Sequence, residues 1–341
     1  MSVTDPTPFS APATGSDDRL VAEIETLAER MRLVRERVGR IIFGQEDVVE
    51  QSLITLLAGG HCLLIGVPGL AKTKLVETLG TVFGLDEKRI QCTPDLMPAD
   101  ILGSEVLEEA QDGRRAFRFI QGPVFAQLLM ADEINRASPR TQSALLQAMQ
   151  ERRVSVGGQY YPLPAPFHVL ATQNPLEQEG TYPLPEAQLD RFLLQVDVGY
   201  PDLEAERHML IATTGADEEK PVQVMSATDL LQAQRLLRRV PVGDSVIDAI
   251  LTLVRSGRPD ETGFESVRRH VAWGPGPRAG QALMLAIRAR ALLDGRLSPS
   301  IDDVLAIAKP VLRHRMALNF AARAEGITLD SVIDTIAQPF A

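Results

Sequence analysis

A lysine–threonine pair after a glycine-bearing turn is the part of this chain best suited to chemistry. The stretch 61–73 reads HCLLIGVPGLAKT, in which an apolar run predicts a strand and the pattern from Lys72 to about residue 83 predicts a helix. Gly66 and Gly69 let backbone N–H groups turn inward around an anion, and the helix N-terminus adds its positive dipole end. Lys72 can supply a charge to the phosphates of a nucleotide, and Thr73 a hydroxyl to Mg²⁺. The segment therefore predicts a phosphate-binding loop.

The turn departs from the general P-loop pattern at one position, because Ala71 stands where that pattern has glycine. A methyl group fits there if the φ angle is right-handed helical, which we expect because a helix follows. A strand-to-helix turn without any ligand is the alternative interpretation. We assign contact with the nucleotide to the whole segment: Gly66, Val67, Pro68, Gly69, Leu70, Ala71, Lys72, Thr73 and Lys74.

Two carboxylates follow a second apolar stretch. Residues 125–131 predict a buried strand that ends in Asp132 and Glu133, and we expect it to lie beside the strand that carries the phosphate-binding loop. Ligands of α/β proteins bind at the carboxyl ends of strands, where Asp132 would hold Mg²⁺ and Glu133 would act as the base for hydrolysis. An acidic helix cap is the alternative, but it would not place both groups after a buried strand. Together the two motifs predict a protein that binds and hydrolyses ATP.

Three further polar side chains stand at the ends of predicted elements. Asn174 follows the strand 167–173 and could hold the attacking water beside the base, with a simple Asn-Pro turn as the alternative. Arg191 precedes the strand 192–198, at the end opposite the phosphate-binding loop. It could therefore enter the site of a neighbouring subunit, or else form a surface ion pair. Arg278 lies in a glycine- and proline-rich loop before a helix and could move onto the γ-phosphate.

The pattern of elements indicates an α/β fold followed by a smaller helical domain. Strands alternate with helices up to about residue 201, which implies a parallel sheet flanked by helices, and only helical periodicity remains after residue 228. We divide the chain into a disordered tail (1–16), an N-terminal helix (17–40), an α/β domain (41–215) and a helical lid (222–341). Strands are predicted at 62–66, 89–93, 127–132, 167–173 and 192–198, and lid helices near 228–239, 243–255, 276–293, 300–314 and 328–337.

Three elements have two interpretations each. Residues 104–121 and 153–162 both contain two short strand-like stretches around glycine, which predicts β-hairpins whose tips project on one side of the sheet. Such hairpins serve either as spacers or as fingers that contact substrate. The helix at 17–39 carries a narrow apolar stripe from Leu20 to Val38, so it packs either on its own domain or on another subunit.

Composition excludes several classes of protein. The chain has 341 residues and a net charge of −10, which argues against the phosphate backbone of nucleic acid as the main target. Cys62 and Cys92 have no CxxC spacing and are expected to be buried thiols in a reducing compartment. The sequence has no apolar run of about 18 residues and no basic, apolar leader, so we expect a cytoplasmic protein. Its five scattered histidines do not suggest a bound transition metal.

The motifs, in their order and spacing, resemble those of the AAA+ ATPases and, among them, of the MoxR family. The resemblance runs from about residue 30 to the C-terminus and includes the alanine at position 71. At the last motif the chain has Gly-Pro-Gly-Pro-Arg278 where the family has Gly-Ala-Ser-Pro-Arg. The segments that carry the resemblance are Phe43–Gln45, Gly66–Thr73, Thr93–Gly103, Asp132–Arg140 and Ala171–Pro175.

The resemblance implies a fold, a cofactor set and partners. It implies an AAA+ P-loop domain with two β-hairpin inserts and an all-helical lid, which bind ATP and Mg²⁺ and assemble into a ring, expected to be a hexamer. Family members resemble chaperones that remodel, mature or activate protein complexes, sometimes in cofactor or metal insertion, with partners that contain a von Willebrand factor A domain. A chelatase-type motor subunit, a DNA-dependent motor and a nucleotide-gated scaffold with little turnover are the alternatives.

The resemblance also implies roles for particular residues. Arg191 would be the finger that acts in trans, Asn174 the first sensor and Arg278 the second sensor. Residues 41–45 would line the adenine, which adds Phe43, Gly44 and Gln45 to the predicted nucleotide site. The two hairpins would face the pore or the substrate.

Overall fold

The computed structural model describes residues 14–109, 115–177, 179–215 and 219–340. A five-stranded parallel sheet with flanking helices forms its first part, as predicted. The predicted tail falls almost wholly outside the described residues, and the N-terminal helix begins at Thr14. The elements of this part are α1 (Thr14–Gly39), α2 (Glu46–Ala58), β1 (Cys62–Ile65), α3 (Lys72–Val82), β2 (Glu87–Gln91), α4 (Pro98–Leu102), β3 (Gly103–Glu109), β4 (Arg115–Gln121), β5 (Leu128–Asp132), α5 (Pro139–Glu151), β6 (Arg153–Val156), β7 (Gln159–Pro162), β8 (His168–Gln173), α6 (Glu186–Leu189), β9 (Leu194–Asp197) and α7 (Leu203–Thr214).

The sheet order is β2-β5-β8-β1-β9. The central strands β1, β5 and β8 are buried except at their last residue, because helices cover both faces of a parallel sheet. One prediction was wrong: β5, which carries the acidic pair, does not lie beside β1, because β8 is inserted between them and pairs with both. Sequence order does not fix spatial order when crossovers allow a later strand to enter between two earlier ones. Three neighbouring strands therefore end at the same edge, followed by Gly66, Asn174 and Glu133.

Both predicted hairpins are present, as β3–β4 and β6–β7. Gly157 and Gly158 turn the second hairpin with φ angles of 58° and 77°, which glycine adopts without strain. The turn of the first hairpin, at 110–114, lies outside the described residues. The hairpins pack against each other, since the rings of Phe119 and Tyr161 stack with centroids 4.2 Å apart.

The lid contains all five predicted helices, but it is not entirely helical. A short antiparallel ribbon pairs β10 with β11, and α10 and α13 were not predicted. Strands of three and two residues are too short to show an alternating pattern, so no periodicity predicts them. The elements of the lid are α8 (Ala227–Leu237), α9 (Asp244–Ser256), α10 (Glu265–His270), β10 (Val271–Trp273), α11 (Pro277–Leu293), α12 (Ile301–Leu312), β11 (Ala317–Leu318), α13 (Phe320–Ala324) and α14 (Leu329–Ala337).

The N-terminal helix packs on its own chain. Met31, Val34 and Val38 are fully buried, and α1 contacts both α2 and α3 of the sheet domain and α8 and α11 of the lid. A single hydrophobic core contains side chains of α1, α2, β1 and the lid helices. Cys62 and Cys92 are buried free thiols, as predicted, and burial raises the pKa of each to about 12. Within the described ranges, no helix has the length and apolar character that crossing a bilayer requires.

Candidate nucleotide site

The loop after β1 has the shape of an anion cradle. The N–H of Gly66 donates to Gln173 O over 3.2 Å, which ties the loop to β8. A Cβ atom on Gly66 would lie 2.7 Å from the carbonyl oxygen of Val198, so this position admits only glycine. Gly69 has a φ angle of +85°, in the left-handed region. The glycines thus allow the close approach and the reversal that the sequence predicted for them.

Ala71 does not adopt the right-handed conformation that we expected. Its φ and ψ angles are 54° and 18°, and it forms the N-cap of α3. The chain must reverse direction before it enters the helix, and a left-handed residue makes this reversal. For a residue with a Cβ atom the conformation costs about 1–2 kcal/mol, which explains why the general pattern has glycine here.

The side chain of Lys72 points back into the loop. Its Nζ donates to the carbonyl oxygens of Gly66 and Val67, both over 2.7 Å. Burial lowers the pKa of Lys72, while the nearby charges of Asp132 and Glu133 act to raise it. Thr73 and Lys74 follow in the first turn of α3, and Pro68 and Leu70 complete the loop. An ammonium group therefore sits inside the cradle and near both carboxylates.

Thr172, at the end of β8, organises the acidic pair. Its hydroxyl donates to Asp132 Oδ1 and accepts from the N–H of Glu133 over 2.9 Å. The other oxygen of Asp132 accepts from the guanidinium of Arg89 on β2. Glu133 itself has a positive φ angle of 53°, a strained conformation often found at functional sites. Sequence reasoning missed Thr172 and Arg89, whose only signal was that each is a polar residue within a strand.

Two further side chains hold the carboxylate of Glu133. Gln91 donates to Glu133 Oε2 over 2.7 Å, and Arg136 donates to the same atom over 3.3 Å. Asn174 is buried beyond the end of β8, where its Oδ1 accepts from the N–H of Leu176 over 3.1 Å. The local turn expected as the alternative for Asn174 is therefore formed, at the same edge as the acidic pair.

Phe43, Gly44 and Gln45 line a cavity of about 1050 Å³ together with the loop residues Pro68 to Ala71. The opposite wall comes from Tyr200 and from α7, a helix that was not predicted. Gln45 donates to Gly199 O over 2.8 Å, and the Phe43 ring meets the His208 ring edge-on at 4.8 Å. The three predicted residues thus stand beside the phosphate-binding loop, at a cavity large enough for a nucleotide.

Arg191 and Arg278 lie at the opposite end of β1. Both line a smaller cavity of about 280 Å³ with residues 59–61, which precede β1, whereas the phosphate-binding loop follows it. In this structure Arg278 thus lies at the end of β1 opposite the loop of its own chain, and its movement onto the γ-phosphate stays a prediction. It pairs instead with Asp190, with 3.6 Å between Arg278 Nη1 and Asp190 Oδ2.

The guanidinium of Arg191 makes no hydrogen bond or ion pair with any residue in the part of the chain that the structure describes. Burial lowers its pKa, the positive charge of Arg278 lowers it further, and Glu151 acts to raise it. The surface ion pair considered as an alternative for Arg191 is not observed. Arg191 therefore lies near the positive charge of Arg278, with no hydrogen-bond or ion-pair partner among the described residues.

Comparison with known proteins identifies the class of the fold. The family profile of ATPases associated with various cellular activities matches residues 61–194, and that of the AAA lid domain matches residues 264–336. A solved structure from Cytophaga hutchinsonii, provisionally described as an ATPase, superimposes with a TM-score of 0.86 at 38% identity. The superposition covers 95% of this chain and 97% of the Cytophaga chain. The fold and site thus define an AAA+ ATPase.

Full-length relatives narrow the class. Chaperone MoxR1 of Mycobacterium tuberculosis is 45% identical over 96% of this chain and 85% of its own length. The uncharacterised protein YeaC of Bacillus subtilis is 40% identical over 88% and 91%, and protein MoxR of Paracoccus denitrificans is 30% identical over 92% and 97%. The chain belongs to the MoxR family of AAA+ ATPases, as its motifs predicted.

Proposed function

We propose that this chain is an ATP-hydrolysing chaperone that remodels, matures or activates protein complexes, including by cofactor or metal insertion. The observation that carries the proposal is the meeting of Lys72, the acidic pair and Asn174 at one edge of the sheet, beside a cavity of about 1050 Å³. A relative that is 45% identical is named a chaperone. The reaction is hydrolysis of ATP to ADP and phosphate.

The donor set fits a nucleotide with Mg²⁺. Hydroxyl and carboxylate oxygens are the ligands that Mg²⁺ prefers, and Thr73 and Asp132 would supply them. A bound Mg²⁺ would neutralise charge on the phosphates. Asp132 is paired with Arg89 in this structure, so Arg89 must move aside before the carboxylate can accept a cation. Lys72 would exchange its two carbonyl acceptors for phosphate oxygens.

Glu133 would act as the base that orients and deprotonates the attacking water. Gln91 and Arg136 occupy one of its oxygens and fix the direction of the carboxylate. Asn174 would hold the same water from β8, the neighbouring strand. Each of these groups comes from the same subunit as the phosphate-binding loop.

A ring assembly would complete the site, because Arg191 and Arg278 face away from the loop of their own chain. In a ring, expected to be a hexamer, the amino end of β1 in one subunit would meet the loop of the next. Both arginines would then act in trans on the phosphates. A partner with a von Willebrand factor A domain would link the ring to its client complex.

The competing motors would use different partners. The described strands of the first hairpin carry three glutamates and two arginines, and Arg115 and Arg118 each pair with one of the glutamates. This charge balance disfavours the DNA-dependent motor. A metal-chelatase motor remains the alternative within the same clade. The client protein obtained in a capture experiment distinguishes it from a chaperone.

The test combines turnover with capture. Magnesium-dependent ATP hydrolysis is measured with and without double- and single-stranded DNA, and we expect turnover that DNA does not stimulate. The Glu133→Gln variant, held in its ATP state, is then used to capture partners, with the Lys72→Ala variant as the matched control that cannot retain ATP. Strong stimulation of ATP turnover by DNA, or the absence of magnesium-dependent ATP binding, would contradict the proposal.

A further inference from the structure

The guanidinium of Arg315 is buried between the lid and the loop that carries Arg191. Arg315 lies in a short turn of 3-10 helix after α12 and is only 2% exposed. Its Nε donates to Asp190 Oδ1 over 2.8 Å, and its Nη2 donates to Phe192 O over 2.6 Å. These two partners flank Arg191 in the sequence. One side chain of the lid therefore fixes the chain on both sides of Arg191.

The remaining nitrogen of Arg315 holds the guanidinium in a single orientation. Nη1 donates to Val311 O over 2.6 Å and to Leu193 O over 3.1 Å. The ring Nε2 of His314 lies 2.7 Å from this Nη1 and 3.0 Å from Phe192 O. Burial, followed by the charge of Arg315, holds the pKa of His314 well below its usual value, so its ring is neutral beside the guanidinium. Acceptors from both the lid and the loop thus determine where the planar fork points.

Asp190 extends the same network to Arg278. Its Oδ1 accepts from Arg315, and its Oδ2 faces Arg278 Nη1 at 3.6 Å. Arg278 lies in the first turn of α11, Asp190 follows α6, and Arg315 follows α12. One carboxylate therefore joins three segments of the chain that are distant in sequence.

We propose that Arg315 is a positioning residue for hydrolysis in the adjacent subunit, because it holds Arg191 and Arg278 at a fixed spacing on one surface. This inference rests on the proposed shared site. A planar guanidinium can bind a carboxylate and several carbonyl groups in fixed directions at once, which a lysine ammonium cannot reproduce. The lid thereby becomes part of the surface that acts on the neighbour.

The first test is the variant Arg315→Lys, which keeps the charge and loses the fork. A displacement of about 1 Å at a catalytic group costs about 100-fold in rate, and we expect a fall in kcat of that order. The affinity for a fluorescent ATP analogue should stay unchanged, because the phosphate-binding loop lies at the other end of β1. Loss of ATP affinity in step with kcat would overturn the inference, since it would indicate general damage to the fold.

Subunit mixing locates the defect. Arg315→Lys subunits have an intact loop, so mixing with Lys72→Ala subunits should restore hydrolysis at interfaces where the intact loop meets the intact arginine surface. Mixing with Arg191→Ala subunits should restore nothing, because both variants would be defective on the same surface. The reverse pattern would place Arg315 on the loop side and overturn the inference. Co-purification of differently tagged subunits confirms that the rings are mixed.

The same turn supplies a matched control. Arg313 is also largely buried, and it pairs with Asp330 and Asp197 without contacting the loop that carries Arg191. Arg313→Lys should retain most hydrolysis even if it lowers thermal stability. Equal losses of kcat in the two variants would show that Arg315 acts only through stability.

A second variant keeps the inference testable if Arg315→Lys does not fold. Asp190→Asn preserves size and weakens the links to both arginines, and it should show the same mixing pattern with a smaller loss of kcat. An unchanged kcat in Asp190→Asn would count against the network. Failure of the proposed function would give different results. The wild type would not hydrolyse ATP, or mixing Arg191→Ala and Lys72→Ala subunits would not restore hydrolysis. Either result would also contradict the inference.

Discussion

The two ends of β1 are built in different ways. At the carboxyl end, contiguous residues from Gly66 to Thr73 form the cradle, and its shape depends on backbone angles and on close approach to β8 and Val198. At the amino end, Arg191 and Arg278 come from segments far apart in sequence and are joined through Asp190 to a buried lid arginine. A change at the first end should therefore impair the subunit that carries it. A change at the second end should impair its neighbour.

The largest effect that separates the two ends is expected from Arg191→Ala. An arginine finger is worth about 10³–10⁵ in rate, so kcat should fall by that order while ATP affinity stays unchanged. Steady-state hydrolysis and binding of a fluorescent ATP analogue measure the two quantities. Mixing with Lys72→Ala subunits should restore part of the turnover. Absence of recovery in rings shown to contain both variants would contradict a shared site.

Glu133→Gln tests the carboxyl end. A general base contributes about 10²–10⁴ in rate, so turnover should fall by that order while ATP is still bound, because glutamine keeps the size and the contacts but cannot take a proton. Its mixture with Lys72→Ala subunits serves as the control and should not recover, since both changes affect the same end. A kcat equal to that of the wild type would show that Glu133 is not the base.

Low pH should destabilise the fold around the amino end of β1, because two buried histidines lie there. His61 precedes β1 and His168 begins β8, and burial lowers their pKa values to about 3 and about 4. The folded state therefore keeps both rings neutral, while the unfolded chain takes up protons below its usual pKa near 6.5. The contribution of the two neutral histidines to the unfolding free energy is complete above pH 6.5. It is lost as the pH falls, by about 2 kcal/mol per histidine at pH 5.

Denaturant unfolding at pH 7 and pH 5 measures this loss. His168→Gln should reduce the difference in unfolding free energy between the two pH values by about 2 kcal/mol, whatever its effect at pH 7. His208→Gln, a change at the exposed histidine beside the nucleotide cavity, is the control and should leave the difference as it is in the wild type. An unaltered pH dependence in His168→Gln would exclude this histidine as its source.

The smallest effect concerns the conformation of Ala71. Glycine adopts a φ angle of 54° without the Cβ penalty, so Ala71→Gly should raise the unfolding free energy by up to about 1 kcal/mol. Ala144→Gly, in the interior of α5, should lower it by about 1 kcal/mol. Chemical unfolding curves compare the two variants. Destabilisation of similar size in both would mean that Ala71 is not left-handed in solution.

Particular residues show how far the sequence could be interpreted. Strands, hairpins and the five long lid helices were predictable because their periodicity and turn glycines are local signals. The ribbon of β10 and β11, the conformation of Ala71 and the insertion of β8 between β1 and β5 were not, since each depends on contacts between distant segments. The roles of Thr172 and Arg89 were missed for the same reason, since they depend on contacts with Asp132 and Glu133 on a strand distant in sequence.

By itself the sequence determined the family, the α/β sheet with its lid and the position of the glycine-bearing loop after β1, because these depend on short-range patterns of apolar, glycine and charged residues. Only the tertiary structure decided which groups meet. It joined the hydroxyl of Thr172 to the carboxylate of Asp132 and to the backbone N–H of Glu133, and it placed Arg278 beside Arg191 at the far end of β1. Arg315 looks like an ordinary surface charge in the sequence, and it becomes a link between lid and loop because burial leaves its five N–H groups only fixed protein acceptors.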